Sequence, residues 1–431
     1  MKYEYLESVR TEIEKCVRCA ACQSGCPTYE DSFSETLSAR GKIHLLNAVL
    51  DGRLNFSSRL QDDLSMCLSC LNCKTACPTQ VDTQKIFSFS LKQINKSGGG
   101  SVLESLVFKY VLPYPKRLSF FAKLVGIFCF CYKVAPKWLI GFLPYSPGGV
   151  KRVLPNFWSK NLRNILSETT PSLANPIKSS ISKVAYFSGC MTDLAFSTTG
   201  ESVVKHLLDM GVEVVFPKNQ VCCGAPAYFG GDDEAFRNLV DHNISVFNEL
   251  DVDAIVCSCA TCASILKHYY SEVAGADFTR FTSKVVDFQQ LLVTLGMNSV
   301  YKMKKAGGYN IRVTYHDPCH LKRGLGVFEQ PRTLIKSLPN VEFIEMEKAD
   351  RCCGGSGIFS INHYPEAIDY GRIKAESIAK TEADYVVTSC PSCQLHIADA
   401  LNRFGLSTPV ISGPELLDLA LQRNGVLDVR K

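Results

Sequence analysis

All but three of the chain's 21 cysteines fall into four groups whose spacing suits metal ligation. Cys16, Cys19, Cys22 and Cys26 stand as C-x2-C-x2-C-x3-C before Pro27, and Cys67, Cys70, Cys73 and Cys77 repeat the pattern before Pro78. Thiolates spaced in this way hold four-iron, four-sulfur cubes, because three close cysteines wrap one face while the fourth points away and reaches a second cube. The expected ligand sets are therefore Cys16, Cys19, Cys22 and Cys77 for one cubane [4Fe-4S] cluster, and Cys67, Cys70, Cys73 and Cys26 for the other. Zinc sites use paired CxxC units with a longer gap and would leave a ligand over in each run.

The remaining groups form a duplicated five-cysteine pattern. Cys190 is followed after 31 residues by Cys222-Cys223-Gly224 and after 35 more by Cys259-x2-Cys262. Cys319 is followed after 32 residues by Cys352-Cys353-Gly354 and after 36 more by Cys390-x2-Cys393. Five thiolates exceed the needs of a cubane, so a site using all of them holds an unusual cluster or keeps one cysteine in reserve. A redox disulfide between the vicinal cysteines and a structural zinc site stay open as alternatives. Gly224, Gly354 and Gly355 let the backbone approach a bulky cofactor closely. His316 and His320 flank Cys319. They are read either as hydrogen-bond partners of a cluster sulfur or as catalytic groups delivering a proton to a substrate or quinone. Cys129, Cys131 and Cys257 stand outside every pattern and are expected to be buried apolar residues.

The elements that must position these groups differ along the chain. Residues 1–95 read as helices with short turns at the cysteine runs, a two-cluster domain ending at the linker-like stretch Lys96-Ser-Gly-Gly-Gly-Ser101. Residues 96–178 form a helical linker region rich in Phe, Leu, Lys and Pro. Lys123, Lys133 and Lys137 interrupt its apolar run and Pro136 breaks it, so a membrane span is not expected. A pair of helices packing over the other domains is one reading, and an interfacial helix touching a membrane or a membrane partner is the other. From residue 179 the texture is α/β. Strands at Lys183–Phe187, Val212–Phe216 and Ala254–Val256 alternate with helices at 199–210 and 233–250. The same order recurs as strands at Ile311–Tyr315, Val341–Met346 and Tyr385–Thr388, with helices near 330 and at 365–381. Two duplicated α/β domains, 179–300 and 301–431, follow from this repeat. Each cysteine group then lies beyond the carboxyl end of a strand, where open α/β sheets present their ligands.

The formal charge of +5 counts the thiols as neutral. Two thiolate-bound cubanes at about −2 each bring the total to about +1, which gives no case for nucleic acid. Met1–Glu14 is polar and acidic, with no apolar core or cleavage site, so the cysteines are expected as thiolates in the cytoplasm rather than as exported disulfides.

With these motifs in place, the chain resembles the iron–sulfur oxidoreductase subunits that join a two-cluster ferredoxin domain to cysteine-rich "CCG" domains. Those subunits serve glycolate oxidase, lactate utilisation, anaerobic glycerol-3-phosphate dehydrogenase and heterodisulfide reductase. Arg40-Gly-Lys-Ile43 resembles that family's RGR-I segment. The resemblance implies that Cys190, Cys222, Cys223, Cys259 and Cys262 hold one further [4Fe-4S] cluster of non-cubane type, and Cys319, Cys352, Cys353, Cys390 and Cys393 another. Both motifs are complete here, which favours the heterodisulfide-reductase type of site over glycolate oxidase subunits that lack some of these cysteines. No GxGxxG follows a strand, so FAD is expected only on a partner. Two functions are implied. One is electron relay from an FAD-binding lactate- or glycolate-type dehydrogenase, within a hetero-oligomer, to a quinone or other acceptor, with contact to the inner face of the cell membrane left open. The other is disulfide reduction at a non-cubane cluster.

Overall fold

The structure, a computed structural model, describes residues 3–134, 150–172, 174, 181–273, 278–302 and 310–422. Pro136 and Lys137 lie outside these residues. The N-terminal part is helical, and its longest helices are α1 (Ala39–Leu50) and α2 (Thr83–Lys96). Each starts at a side-chain cap: Ser38 Oγ accepts from Gly41 N at 3.0 Å, and Asp82 Oδ1 from Lys85 N at 3.1 Å. Leu6, Ile13, Ile43, Leu46, Leu60 and Ile86 make its small core.

The glycine stretch after α2 is packed rather than a free tether. Asn95 Nδ2 donates to Gly230 O at 2.7 Å, and a Cβ on Gly99 would overlap the Gln61 side chain. Ser101 then caps α3 (Val102–Tyr110), which leads to α4 (Pro115–Val134). The expected pair of helices is present, but α4 buries only Ala122, Gly126 and Tyr132 among its described residues, with Leu118 and Ser119 also in contact with neighbouring elements. Phe120, Phe121, Leu124, Val125, Phe128 and Phe130 are exposed. The expectation of burial fails for two of the unpatterned cysteines: Cys131 is exposed and Cys129 only half-buried, while Cys257 is buried. The packed stripe of α4 runs at helical spacing and leaves the position of Cys131 on the open side. Among the described residues, no helix is long and apolar enough to cross a membrane.

The remainder is two parallel sheets of like topology. The first has β1 (Thr169–Thr170), β2 (Lys183–Phe187), β3 (Glu213–Val215), β4 (Ala254–Cys257) and β5 (Val285–Asp287) in the order β1-β3-β2-β4-β5, with only β1 antiparallel. The second has β6 (Ile311–Tyr315), β7 (Val341–Phe343), β8 (Tyr385–Thr388) and β9 (Val410–Ser412) in the order β7-β6-β8-β9. Apolar and β-branched runs buried on both faces make the central strands, as parallel sheets require. Helices α5 (Ser197–Asp209), α6 (Asp233–Asn248), α7 (Glu329–Ser337), α8 (Tyr364–Ala379) and α9 (Pro391–Arg403) connect them. The strand expected to reach Met346 ends at Phe343. Strands β1, β5 and β9 were not expected at all, because two or three residues at a sheet edge carry no readable period. Val184, Tyr186 and Val256 of the first sheet share one core with Val313, Tyr315 and Val387 of the second.

Candidate metal centres

Both N-terminal cysteine runs fold as the same loop. Arg18 and Ala20 have φ of 59° and 67°, and Ser69 and Leu71, at the matching positions, have 50° and 63°. Left-handed backbone alternating with ordinary backbone turns successive N–H groups inward, the arrangement that cradles anions and iron–sulfur clusters. The Arg40-Gly-Lys segment ties the two loops together. The Arg40 guanidinium pairs with Glu35 at 2.7 Å and donates to the Arg18 carbonyl at 3.4 Å. Lys42 is buried and its Nζ donates to the Met66 carbonyl at 2.7 Å, beside Cys67. A Cβ on Gly41 would land on the Glu35 carbonyl, so only glycine fits between them.

Cys26 of the first run lies within electrostatic reach of Cys73 and of the Lys42 ammonium, which also faces Cys67. Burial, with Cys67 next, pushes the Cys73 thiol up to about 12. A thiol in that position ionises only against a cation, and a metal supplies one.

In the first repeat, Cys190, Cys222–Cys223 and Cys259 lie past the carboxyl ends of β2, β3 and β4. Cys222 Sγ is 3.8 Å from Cys190 Sγ, and Cys262 bridges Cys223 and Cys259. Gly189, at φ 68°, is so close that a Cβ would stand 2.7 Å from Cys262 Sγ. The second repeat repeats the chain of contacts, from Cys319 through Cys352 and Cys353 to Cys393 and Cys390. Gly355 N also donates to Cys353 Sγ at 3.4 Å. None of these cysteines is paired in a disulfide. Buried thiols converging around backbone donors, with no carboxylate among them, are the donor set of a soft metal centre, and iron–sulfur groups fit it.

Gly224 and Gly354 sit at φ 88° and 92°. The space their Cβ would take is filled by Phe236 of α6 in one case and by Ala367 O of α8 and His396 of α9 in the other, so the close approach is to packed helices. Gly355 likewise faces His396.

The two five-cysteine sites adjoin. Cys259 contacts Cys390, and Ala260 N donates to Ser389 O at 2.9 Å. His320 stands at this junction. Its Nδ1 is 3.8 Å from Cys319 Sγ and 3.5 Å from Thr261 Oγ1, and its ring stacks on Phe229 at 5.5 Å. His316 is buried, its Nδ1 is 3.1 Å from Ala349 O, and burial brings its pKa down to about 3. A ring nitrogen of His316 and the sulfurs of Cys353 and Cys393 lie within 4.8 Å of one another. His396, a residue that sequence reasoning passed over, packs on Gly354 and Gly355 and hydrogen-bonds Ala367 O at 3.0 Å. Its position three residues past Cys393 was the available signal.

The N-terminal loops meet the second site through Cys70 and Leu68. Cys70 is raised by burial and by neighbouring Cys352, and Leu68 packs with Cys352, Phe359 and Tyr370. Arg351, beside Cys352, pairs with Glu30 and Asp31 just after Cys26. A cavity of about 300 Å³, lined by Cys67, Phe87, Phe229, Phe359 and His363, opens against the second loop.

Two family models match this architecture: a 4Fe-4S dicluster domain over residues 12–81, and a cysteine-rich domain over residues 184–267 and 313–398. A probable glycolate oxidase iron–sulfur subunit of Bacillus subtilis is 33% identical over 96% of this chain and 94% of its own length. This chain belongs to the family of CCG-domain iron–sulfur oxidoreductase subunits. Other members are similar at lower identity or over less of the chain. A dihydromethanophenazine:CoB–CoM heterodisulfide reductase subunit from Methanosarcina barkeri is 27% identical over 90% of this chain and 89% of its own. Lactate utilization protein A of a Geobacillus strain is 31% identical over 55% of this chain and 99% of its own. Membership makes the chain an iron–sulfur subunit of an oxidoreductase, and it accounts for both the helical dicluster domain and the duplicated α/β repeats.

Proposed function

We propose that this subunit relays electrons from a flavoprotein that oxidises a small 2-hydroxy acid of the lactate or glycolate type to a quinone or another acceptor. Cys16, Cys19, Cys22 and Cys77 hold one cubane cluster, and Cys67, Cys70, Cys73 and Cys26 the other. The two sets of five cysteines hold further four-iron clusters. The observation that carries the reading is the unbroken line of thiols from the N-terminal loops through Cys70 and Cys352 to Cys390, Cys259 and the first site. Bound there, clusters supply one-electron carriers, while the protein fixes their spacing and surroundings. The exposed apolar flank of α4 is the face turned to a membrane or a membrane-bound partner.

Anaerobic purification of the native protein tests this. About sixteen irons per chain together with a flavin-containing partner is the expected result. Purification without a flavoprotein, in repeated preparations from its own cells, counts against the relay.

One observation favours the second reading, disulfide reduction. The contact of Cys259 with Cys390, with His320 beside it, brings the two five-cysteine sites close enough to act on one substrate. Turnover of an organic disulfide by the isolated, fully loaded subunit would select it.

A further inference from the structure

The two five-cysteine sites are alike in their ligands and unlike in what surrounds them. Matching the repeats through their cysteines pairs His316 with Phe187, Arg351 with Val221 and His396 with Ile265. The helices α6 and α8 start and end at matching positions, which pairs Lys374 with Asn243. All of these residues are buried. In these four pairs an apolar or neutral side chain lies beside the first site and a basic residue beside the second, while Asp317 against Ser188 and Asp350 against Gln220 add carboxylates to the second site that Arg332 and Lys322 take up in ion pairs.

Lys374 is the sharpest case. It is 1% exposed, and its Nζ donates to Lys348 O at 2.6 Å and Ala349 O at 3.1 Å, on the loop entering Cys352-Cys353. The carboxylates nearest to it are engaged elsewhere: Asp317 with Arg332 at 2.8 Å, and Asp350 with Lys322 at 2.9 Å. Burial draws the lysine down to about 8, and the facing sulfurs of Cys353 and Cys352 oppose that. A buried ammonium bonded only to neutral acceptors calls for an anion, and the adjacent thiolate site is the one within reach. Arg351 lies on the same side with its buried Nε unpartnered, but Glu30 and Asp31 pair with its other nitrogens, which leaves Lys374 as the cation without a carboxylate partner. At the matching place in the first repeat, Asn243 is neutral and satisfied. It accepts from Val221 N at 3.1 Å and donates to Cys222 O at 3.0 Å.

A cation beside a cluster stabilises its reduced, more negative form and so raises its potential. We propose that the two sites are a graded pair, in which the second site takes an electron at the higher potential and the first is reduced only below it. This rests on the reading that both sites hold clusters. The step is a one-electron transfer: a reduced N-terminal cubane loses the electron that the oxidised second site gains, and no bond or proton moves. Because Cys70 of the N-terminal loops adjoins Cys352 of the second site, the first electron stays in the middle of the line. A second electron then loads the neighbouring site, which sets two electrons side by side for a two-electron acceptor.

The test is an EPR-monitored redox titration of the full chain, purified anaerobically with iron counted, using dithionite and mediators. Wild type is compared with Lys374→Met, Lys374→Arg and Arg351→Gln. Two midpoints are expected from the five-cysteine sites. Lys374→Met should lower the higher one by at least tenfold in the reduction equilibrium, 59 mV for one electron. It should leave the other in place, and Lys374→Arg should restore the wild-type value. Arg351→Gln shifts the same signal in the same direction and serves if Lys374→Met loses iron. A shift of the lower midpoint, a single shared midpoint, or no shift in an iron-replete variant overturns the grading. An iron count of about eight in wild type overturns the premise of clusters instead, before any variant is made.

Discussion

Arg40, Gly41 and Lys42 show how three adjacent residues can fix two loops that are distant in sequence. Arg40 reaches the Arg18 carbonyl in the first loop and Lys42 the Met66 carbonyl in the second, while Gly41 occupies a gap that closes on Glu35. Replacing Lys42 with Met takes the donor from the part-buried Met66 carbonyl, at about 1 kcal/mol. It also removes a cation facing Cys67, Cys26 and Cys73. Lys42→Met is therefore expected to lower both the unfolding midpoint in denaturant and the iron retained on gel filtration. Gly41→Ala, which forces a methyl into backbone, should cost at least as much. Unchanged stability and full iron in both variants would remove the clamp. At this scale the sequence was legible for chemistry and poor for environment. The cysteine groups could be read from spacing alone, and His396 was within reach of the same reading, but nothing in the spacing indicated that Lys374 would turn toward Cys352 and Cys353. That depends on which face of α8 the sheet covers.

At the scale of elements, the short strand β5 carries Asp287, which is buried and caps the helix that follows. Its Oδ1 accepts from Gln289 N at 2.9 Å and Gln290 N at 3.1 Å, and its Oδ2 has no partner. Burial raises its pKa from 3.8 to about 6. Between those values the folded state keeps a proton that the unfolded chain has lost, so this contribution to stability is present at low pH and fades as pH rises through 6. The expected loss between pH 5 and 7 is about 1 kcal/mol. Chemical unfolding at the two pH values measures it, and Asp287→Asn should flatten the difference. An equal slope in the variant would assign the dependence to other groups. β5 was illegible in the sequence because three residues have no period, whereas the 13-residue α5 and the five-residue β2 announced themselves by theirs. Helix α4 was legible as apolar, and the sequence left open whether it packs over the other domains or presents an interfacial face; the structure leaves its Phe-rich side exposed. Its Phe120, Phe121, Phe128 and Phe130 project into solvent beside Lys116, Arg117, Lys123 and Lys133. Sedimentation with vesicles containing anionic lipid should carry the protein down, less so with neutral vesicles, and Phe120→Ser with Phe121→Ser should weaken it severalfold. Equal recovery in the supernatant for all samples would leave that face to a protein partner.

Across the whole molecule, the two halves depend on metal to different degrees. The α/β half has a core that runs through both sheets, from Tyr186 to Tyr315 and Val387, and needs no ligand to bury it. The N-terminal domain has a small core, and its two loops hold Arg18, Ala20, Ser69 and Leu71 in left-handed backbone. Such residues cost about 1–2 kcal/mol each, and a bound metal is what offsets them. The half with the weaker core thus carries the more strained backbone. Stripping iron with a chelator under anaerobic conditions should therefore open the molecule unevenly. Limited proteolysis read by mass spectrometry is expected to cut first in the two cysteine loops of residues 1–95, while the sheets of residues 181–422 survive as a protected fragment. Far-UV circular dichroism should lose helix and keep strand. If cleavage instead begins in the loops carrying Cys222 and Cys352, with the N-terminal loops intact, then the N-terminal fold stands without its metal and the five-cysteine sites are the ones that need theirs.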